Sequence, residues 1–136
     1  MSSKKYLWLS GPLTVLVLVL AATACSQSTP AVITLGAQDD GRTITLKSGD
    51  TLIIELEGNP TTGFSWEVGA VDDAILAAQG DPDYVASETG LVGSGGMFTF
   101  TFKAAHKGQT PLQLVYHRSW EEVAPADTFD LTVVVS

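Results

Sequence analysis

The chain has 136 residues, an acidic net charge of −8 at pH 7 and a single cysteine. This length suits one domain with a small hydrophobic core. The acidic charge argues against partners made of nucleic acid or anionic lipid, whose phosphates repel it, and a single cysteine excludes an intrachain disulfide.

The first 24 residues have the pattern of an export signal. Lys4 and Lys5 precede an apolar run over residues 7–20, which is shorter than the roughly 20 residues that a membrane-spanning helix needs. Small residues then lead to Cys25, as in a bacterial lipoprotein signal, in which the cysteine becomes the lipid-carrying N-terminus. The resemblance is incomplete, because Ala22 stands where leucine is commonest.

Two other interpretations of this segment stay open: a simple secretory signal cleaved near Ala24, and an uncleaved anchor. The lipoprotein interpretation divides the chain into a signal peptide at 1–24, a tether at 25–31 and one domain at 32–136. Lipid on Cys25 would hold the domain at a membrane surface without spanning it. We therefore expect an extracytoplasmic, cell-envelope lipoprotein, or a secreted protein if Cys25 is not acylated.

Removal of the signal leaves 112 residues and, with Lys4 and Lys5 gone, changes the net charge from −8 to −10. After residue 31 the sequence reads as a succession of strands. In the clearest one, Phe98, Phe100 and Phe102 alternate with polar residues, which is the pattern of a strand with one buried face. The predicted strands cover 32–35, 43–46, 51–57, 64–68, 84–88, 97–103, 112–117 and 129–135.

The connections complete the fold prediction. Residues 71–78 are expected to form a short helix or an irregular connection, and Asp39-Asp40-Gly41 to form a hairpin turn. About eight short strands without a long helix indicate an all-β fold. At this length we predict an immunoglobulin-like β-sandwich of mainly antiparallel strands.

Three loops stand out by composition. The first, at 59–64, reads Asn-Pro-Thr-Thr-Gly-Phe; its proline fixes one φ angle and its glycine allows a positive φ, so the loop is stiff. The second, at 93–96, reads Gly-Ser-Gly-Gly and lets another backbone come close. The third, at 118–120, reads Arg-Ser-Trp and ends a strand with two residue types that are common in binding hot spots.

Taken singly, each loop also has an ordinary explanation: turn chemistry, a plain linker, or a tryptophan that caps the core. Together they suggest more, because loops after alternate strands of a Greek-key sandwich emerge at one end. The three loops are therefore expected to lie side by side and to form one composite surface.

The order of these motifs resembles the chagasin-type inhibitors of papain-like cysteine peptidases, which carry an NPTTG-aromatic loop, a GxGG loop and an R-P-W loop. The match covers roughly residues 32–135 and includes Trp66 after the first motif. Ser119 departs from the family pattern, which has proline there, so this loop is expected to be less rigid. The residues that the resemblance assigns to peptidase binding are Asn59, Pro60, Thr61, Thr62, Gly63, Phe64, Gly93, Ser94, Gly95, Gly96, Arg118, Ser119 and Trp120.

The resemblance implies inhibition without catalysis, by loops that enter the active-site cleft of the peptidase. No metal site is expected, because Asp72-Asp73 and Asp81-Pro82-Asp83 lack a recognised ligand spacing. No cofactor is expected, and the domain is expected to be a monomer. Thr61, Thr62 and Gly63 would lie nearest the catalytic cysteine and histidine. The glycine loop would offer backbone on one side, while Arg118 and Trp120 would pack against the rim on the other. Phe64 and Trp66 are expected to pack chiefly beneath the first loop.

Three other functions remain to be weighed against inhibition. An enzyme needs a nucleophile and a base, and the sole cysteine lies at the lipid position, while His106 and His117 are better explained as solvated or loop residues. A lipid-anchored binding module for carbohydrate or an envelope protein would also suit an immunoglobulin-like sandwich. The third is a domain that has kept the fold and lost potency, as Ser119 would allow.

Overall fold

The computed structural model describes Cys25 and residues 27–136. The predicted signal peptide lies outside the described residues, so that prediction stays untested. The described part folds into nine strands and two single 3₁₀ turns, Ala37–Asp39 and Pro60–Thr62. The strands are β1 Val32–Gly36, β2 Thr43–Leu46, β3 Thr51–Gly58, β4 Ser65–Val71, β5 Leu76–Ala78, β6 Asp83–Ala86, β7 Gly96–Ala104, β8 Gly108–His117 and β9 Asp127–Val135.

The strands form two sheets. The first has the order β1-β3-β7-β5, with β6 also paired to β7, and the second has the order β2-β9-β8-β4. Two pairs, β1–β3 and β2–β9, are parallel, and the other five pairs are antiparallel. The predicted all-β, mainly antiparallel sandwich is confirmed, with nine strands among the described residues instead of about eight.

Two connections differ from the prediction. Residues 71–78 contain no helix, and the irregular connection that was the other expectation is limited to the turn at 72–75. Val71 completes β4, and Leu76–Ala78 pairs with β7 as a short strand. The predicted hairpin at 39–41 is also wrong, because β1 and β2 belong to different sheets and the segment crosses between them. Asp39 is buried there and accepts the N–H of Gly36 and a bond from Arg42, which explains why the segment turns.

The core lies between the sheets and follows the predicted alternation. Phe98, Phe100 and Phe102 of β7 face Leu112 and Leu114 of β8 across the sandwich, and all five are buried. Truncation of such a core phenylalanine to alanine costs about 3–5 kcal/mol. The core therefore supports the strand ends on which the loops are mounted.

The sandwich has two distinct ends. The loop end carries residues 59–64 between β3 and β4, 87–95 between β6 and β7, and 118–126 between β8 and β9. The opposite end carries the turns at 47–50, 72–75 and 105–107. In the part of the chain that the structure describes, no helix is long and apolar enough to cross a membrane.

Candidate functional site

The first loop is closed by its own hydrogen bonds. The Asn59 side chain accepts the N–H of Thr61 at 3.2 Å and its hydroxyl at 2.5 Å, which caps the 3₁₀ turn Pro60–Thr62. The hydroxyl of Thr62 donates to the Asn59 carbonyl at 2.7 Å. Gly63 ends the turn with φ +85°, a conformation that glycine adopts without strain. Both threonine hydroxyls thus stiffen the loop from inside.

An aromatic platform supports this loop from below. The Tyr116 hydroxyl accepts the Asn59 N–H at 2.8 Å, and its ring lies 5.3 Å from the Phe64 ring and 5.1 Å from the Trp66 ring. Trp66 is buried, and its indole N–H donates to the Glu57 carbonyl at 2.9 Å. The Tyr116 hydroxyl and the Trp66 indole N–H therefore both hold the first loop or the strand before it.

The glycine loop is fastened to the first loop. The side-chain amide of Asn59 donates to the Gly93 carbonyl at 2.6 Å. Gly95 is buried with φ +80°, and a Cβ there would lie 2.9 Å from the Gly58 carbonyl oxygen. A Cβ on Gly96 would lie 2.2 Å from the Val85 carbonyl oxygen. These two glycines are required because neighbouring backbone passes where a side chain would be.

The third loop is fastened to the other side of the first. Arg118 donates through Nε to the Thr62 carbonyl at 3.0 Å, and its guanidinium lies 4.3 Å from the centre of the Phe64 ring. Its Nη1 also contacts Glu121 at 3.0 Å, while the Glu121 N–H donates to the Arg118 carbonyl at 3.0 Å. The turn around Ser119 is thus closed by an ion pair and a backbone bond, which limit its freedom in the absence of proline.

Trp120 is 69% exposed, so it does not cap the core. It lies against Gly63, where an added Cβ would come within 2.7 Å of the indole ring. The side chain therefore extends the surface of the first loop toward solvent. Exposure of a large aromatic at a loop tip is typical of a binding surface.

The loop end also includes two apolar residues that the motifs do not contain and that the sequence analysis missed. Leu91 and Val92, just before the glycine motif, are 73% and 106% exposed. The sequence does contain a signal for them, because two adjacent apolar residues are unusual in a loop that otherwise consists of polar residues and glycine. The pair adds an apolar element to the loop end on the side opposite Trp120.

All thirteen residues assigned by the resemblance lie in these three loops or at their junctions, and Asn59 and Arg118 join the loops directly. The sequence profile described as "Chagasin family peptidase inhibitor I42" matches residues 45–133. The chain belongs to the chagasin family.

Individual relatives agree with this assignment. Amoebiasin-1 of Entamoeba histolytica is 34% identical over 105 residues, which are 76% of this chain and 99% of the relative. Among solved structures, the cysteine protease inhibitor EhICP2 of Entamoeba histolytica superposes with a TM-score of 0.72 over 80% of this chain and 99% of the other, at 24% identity. PbICP-C, solved in complex with falcipain-2, has a TM-score of 0.59 at 19% identity and covers 78% and 99%.

The family assignment makes this a peptidase inhibitor and not an enzyme. The two histidines fit that assignment, since they lie at opposite ends of β8. His117 Nε2 contacts Glu67 at 2.8 Å near the loop end, and His106 Nδ1 contacts the Ala74 carbonyl at 2.9 Å at the other end. Neither has a nucleophile as its hydrogen-bond partner.

Proposed function

We propose that the chain is a reversible inhibitor of papain-like cysteine peptidases, and that the loop end occludes their active-site cleft. The observation that carries the proposal is the interlocking of the three family motifs. Asn59 joins the first loop to the glycine loop, and Arg118 joins it to the third. The three motifs therefore form one continuous surface, which supports occlusion of the cleft by the loop end.

The first loop forms the middle of this wedge. Thr61 and Thr62 are exposed at its tip, and with Gly63 they would lie nearest the catalytic cysteine and histidine. The 3₁₀ turn curls the backbone and ties up its own hydrogen bonds, so no extended peptide is offered for cleavage. Reversible binding follows, because no covalent step is involved.

The flanking loops have different tasks. Arg118 is occupied within the inhibitor by Thr62, Phe64 and Glu121, so we assign it the role of holding the wedge in shape. Trp120 is exposed and would make the rim contact on that side. The glycine loop, with Leu91 and Val92 at its tip, would cover the other side. A surface that is ordered before binding loses little conformational entropy on association.

Location and assembly are also part of the proposal. Cys25 is exposed with a free thiol at the start of the tether, as acylation would require. We propose a monomeric inhibitor on the outer side of a membrane, attached by lipid on Cys25, or secreted if that cysteine is not acylated.

The test is a titration of residues 27–136 against papain with a fluorogenic peptide substrate. We expect saturable, reversible inhibition that is lost in Thr62→Glu, since a charge at the tip would be buried in the cleft. Thr45→Glu places the same charge at an exposed position on β2 and should leave inhibition unchanged. A folded domain without inhibition at micromolar concentration would overturn the proposal.

Two further variants, Trp120→Ala and Thr62→Ala, separate inhibition from carbohydrate binding. A sugar site centred on Trp120 predicts that Trp120→Ala abolishes binding while Thr62→Ala has no effect. The inhibitor predicts that papain inhibition is weakened by changes in both loops. Sugar binding without papain inhibition would therefore replace the proposed function with a binding module.

A further inference from the structure

The end of the sandwich opposite the loops holds the attachment point of the tether. Ala31 donates its N–H to the Asp50 carboxylate at 2.9 Å and accepts the N–H of Thr51 at 2.8 Å, which fixes the last tether residue beside the first residue of β3. The strand β8 runs from this end to the loop end over ten residues. At about 3.3 Å per residue, Trp120 stands roughly 30 Å from the tether.

Charge is distributed unevenly between the two ends. All three lysines among the described residues, Lys47, Lys103 and Lys107, are exposed at the tether end, where they balance Asp50, Asp72 and Asp73. The loop end has a single cation, Arg118, against six carboxylates, namely Glu57, Glu67, Glu88, Glu121, Glu122 and Asp127. The domain is therefore acidic at the loops and close to neutral, with exposed lysines, at the tether.

We infer that the tether end is a docking face for an anionic phospholipid surface, so that the anchored inhibitor stands upright with its loops toward solvent. The inference rests on the proposed attachment through Cys25. It refines the expectation from net charge alone, which argued against any approach to anionic lipid.

An acidic domain can still present one end to an anionic membrane, because electrostatic interactions act only over a short distance. At about 0.1 M ionic strength electrostatic interactions are screened beyond about 10 Å, so a membrane acts only on the end of the domain that is near it. The lysines can approach lipid phosphates, whereas the carboxylates at the loop end are repelled.

Charge is needed because the tether alone does not set the orientation. The six peptide steps from Cys25 to Ala31 reach at most about 20 Å when extended, which is enough for the domain to lie on its side. On its side, the domain would bring its acidic loop end against the phosphates. The upright position avoids that repulsion and keeps the peptidase-binding surface accessible.

Native tryptophans report the orientation. Trp66 and Trp120 both lie near the loop end, and they are the tryptophans of the described residues. Residues 25–136 would be coupled through Cys25 to maleimide vesicles of phosphatidylcholine and phosphatidylglycerol that carry a nitroxide quencher on the headgroup. This segment contains every strand partner, and Amoebiasin-1 corresponds to it over 99% of its own length, so it is expected to fold by itself.

We expect no quenching of the native tryptophans and unchanged papain inhibition on these vesicles, while Ser48→Trp at the tether end gains a quenched component. In the Ser48→Trp background, reversal of the three lysines to glutamate should abolish this quenched component on anionic vesicles, because the phosphates then repel both ends of the domain. The same variant on pure phosphatidylcholine serves as the control and should behave like Ser48→Trp alone.

Quenching of the unaltered chain, or no response to charge reversal on anionic vesicles, would overturn the docking face. The quenching readout does not depend on inhibition. Absence of papain inhibition in free solution would therefore count against the proposed function alone.

Discussion

A single side chain, Arg118, connects two of the three loops. It combines a hydrogen bond to the Thr62 carbonyl, a contact with the Phe64 ring and an ion pair with Glu121. Lysine keeps the charge but cannot reproduce this planar set of contacts. Arg118→Lys should therefore loosen the first loop while the core, which Arg118 does not enter, stays intact.

For Arg118→Lys we expect a loss of about 1–2 kcal/mol in binding to papain, or roughly tenfold in the inhibition constant. The loss should appear mainly as faster dissociation, measured by surface-immobilised binding kinetics. Arg42→Lys is the matched control, since Arg42 pairs with Asp39 in the connection between β1 and β2, outside the three loops. Equal effects of both changes would show that Arg118 has no special role in the loop.

Gly63 gives a second prediction at the same scale. Its φ of +85° and the nearby Trp120 ring both oppose a side chain. Gly41 has a similar φ of +78° but nothing within 4 Å of an added Cβ. Alanine at either site should cost about 1 kcal/mol of stability, measured by urea unfolding, because L-residues are strained at positive φ. Only Gly63→Ala should also weaken papain inhibition, since only there is Trp120 displaced.

At the level of elements, the loop between β6 and β7 carries the apolar pair Leu91 and Val92. Both side chains are exposed in the free protein, and their burial in a complex would contribute up to about 3 kcal/mol to binding. Changing both to serine should weaken papain inhibition by tenfold or more, without loss of thermal stability, about 1.4 kcal/mol being one factor of ten.

The control for this pair is Val32→Ser, which removes a valine that is 64% exposed on β1. Inhibition titrations of the two variants give the comparison. If the double serine variant inhibits as well as the unaltered chain, the β6–β7 loop contributes only its glycines to the interface.

The strands show which elements a sequence can predict. β7 was predicted within one residue at each end, because its phenylalanines alternate without interruption. The 71–78 segment was not, since Leu76–Ala78 is a three-residue strand that exists only through its pairing with β7. The hairpin at 39–41 failed for a related reason. Its turn residues are real, but only the tertiary structure decides whether the flanking strands share a sheet.

The candidate site likewise has features that the sequence predicts and features that it does not. The grouping of the three motifs at one end followed from sandwich topology, but the bonds that join them did not. Asn59 to Gly93 and Arg118 to Thr62 link residues 34 and 56 positions apart, which no local pattern encodes. Taken alone, Trp120 is better explained by its sequence position as a cap on the core, and only the packing around Gly63 shows that it is exposed.

For the molecule as a whole, Asp50 links stability to pH. Hydrogen bonds from the N–H of Lys47 and of Ala31 lower the pKa of the buried Asp50 carboxyl below its ordinary value of about 3.9. Because the folded state favours the ionised form, this contribution to stability is complete above the ordinary pKa. It is lost as the pH falls through the lower, folded-state value.

Asp50→Asn should therefore be less stable than the unaltered chain at pH 7, and the difference should shrink as the pH is lowered toward 2. Urea unfolding at several pH values measures it. Asp73→Asn, an exposed aspartate at the same end, is the control. A stability difference that stays constant with pH would mean that the asparagine acts through packing and not through charge.

The close backbone contacts at Gly95 and Gly96 have a consequence for how descendants of this chain would diverge. Neither glycine can be replaced without moving the chain beside it, so the fold itself selects both, whether or not a peptidase is ever met. Selection on Leu91, Val92 and Trp120 has no such structural reason, because they project into solvent. A lineage that abandoned its target should keep the glycine motif and let these apolar tips drift to polar residues. Inhibitors that still bind a peptidase and relatives that have lost this function should therefore differ at the exposed apolar residues more than in the glycine motif.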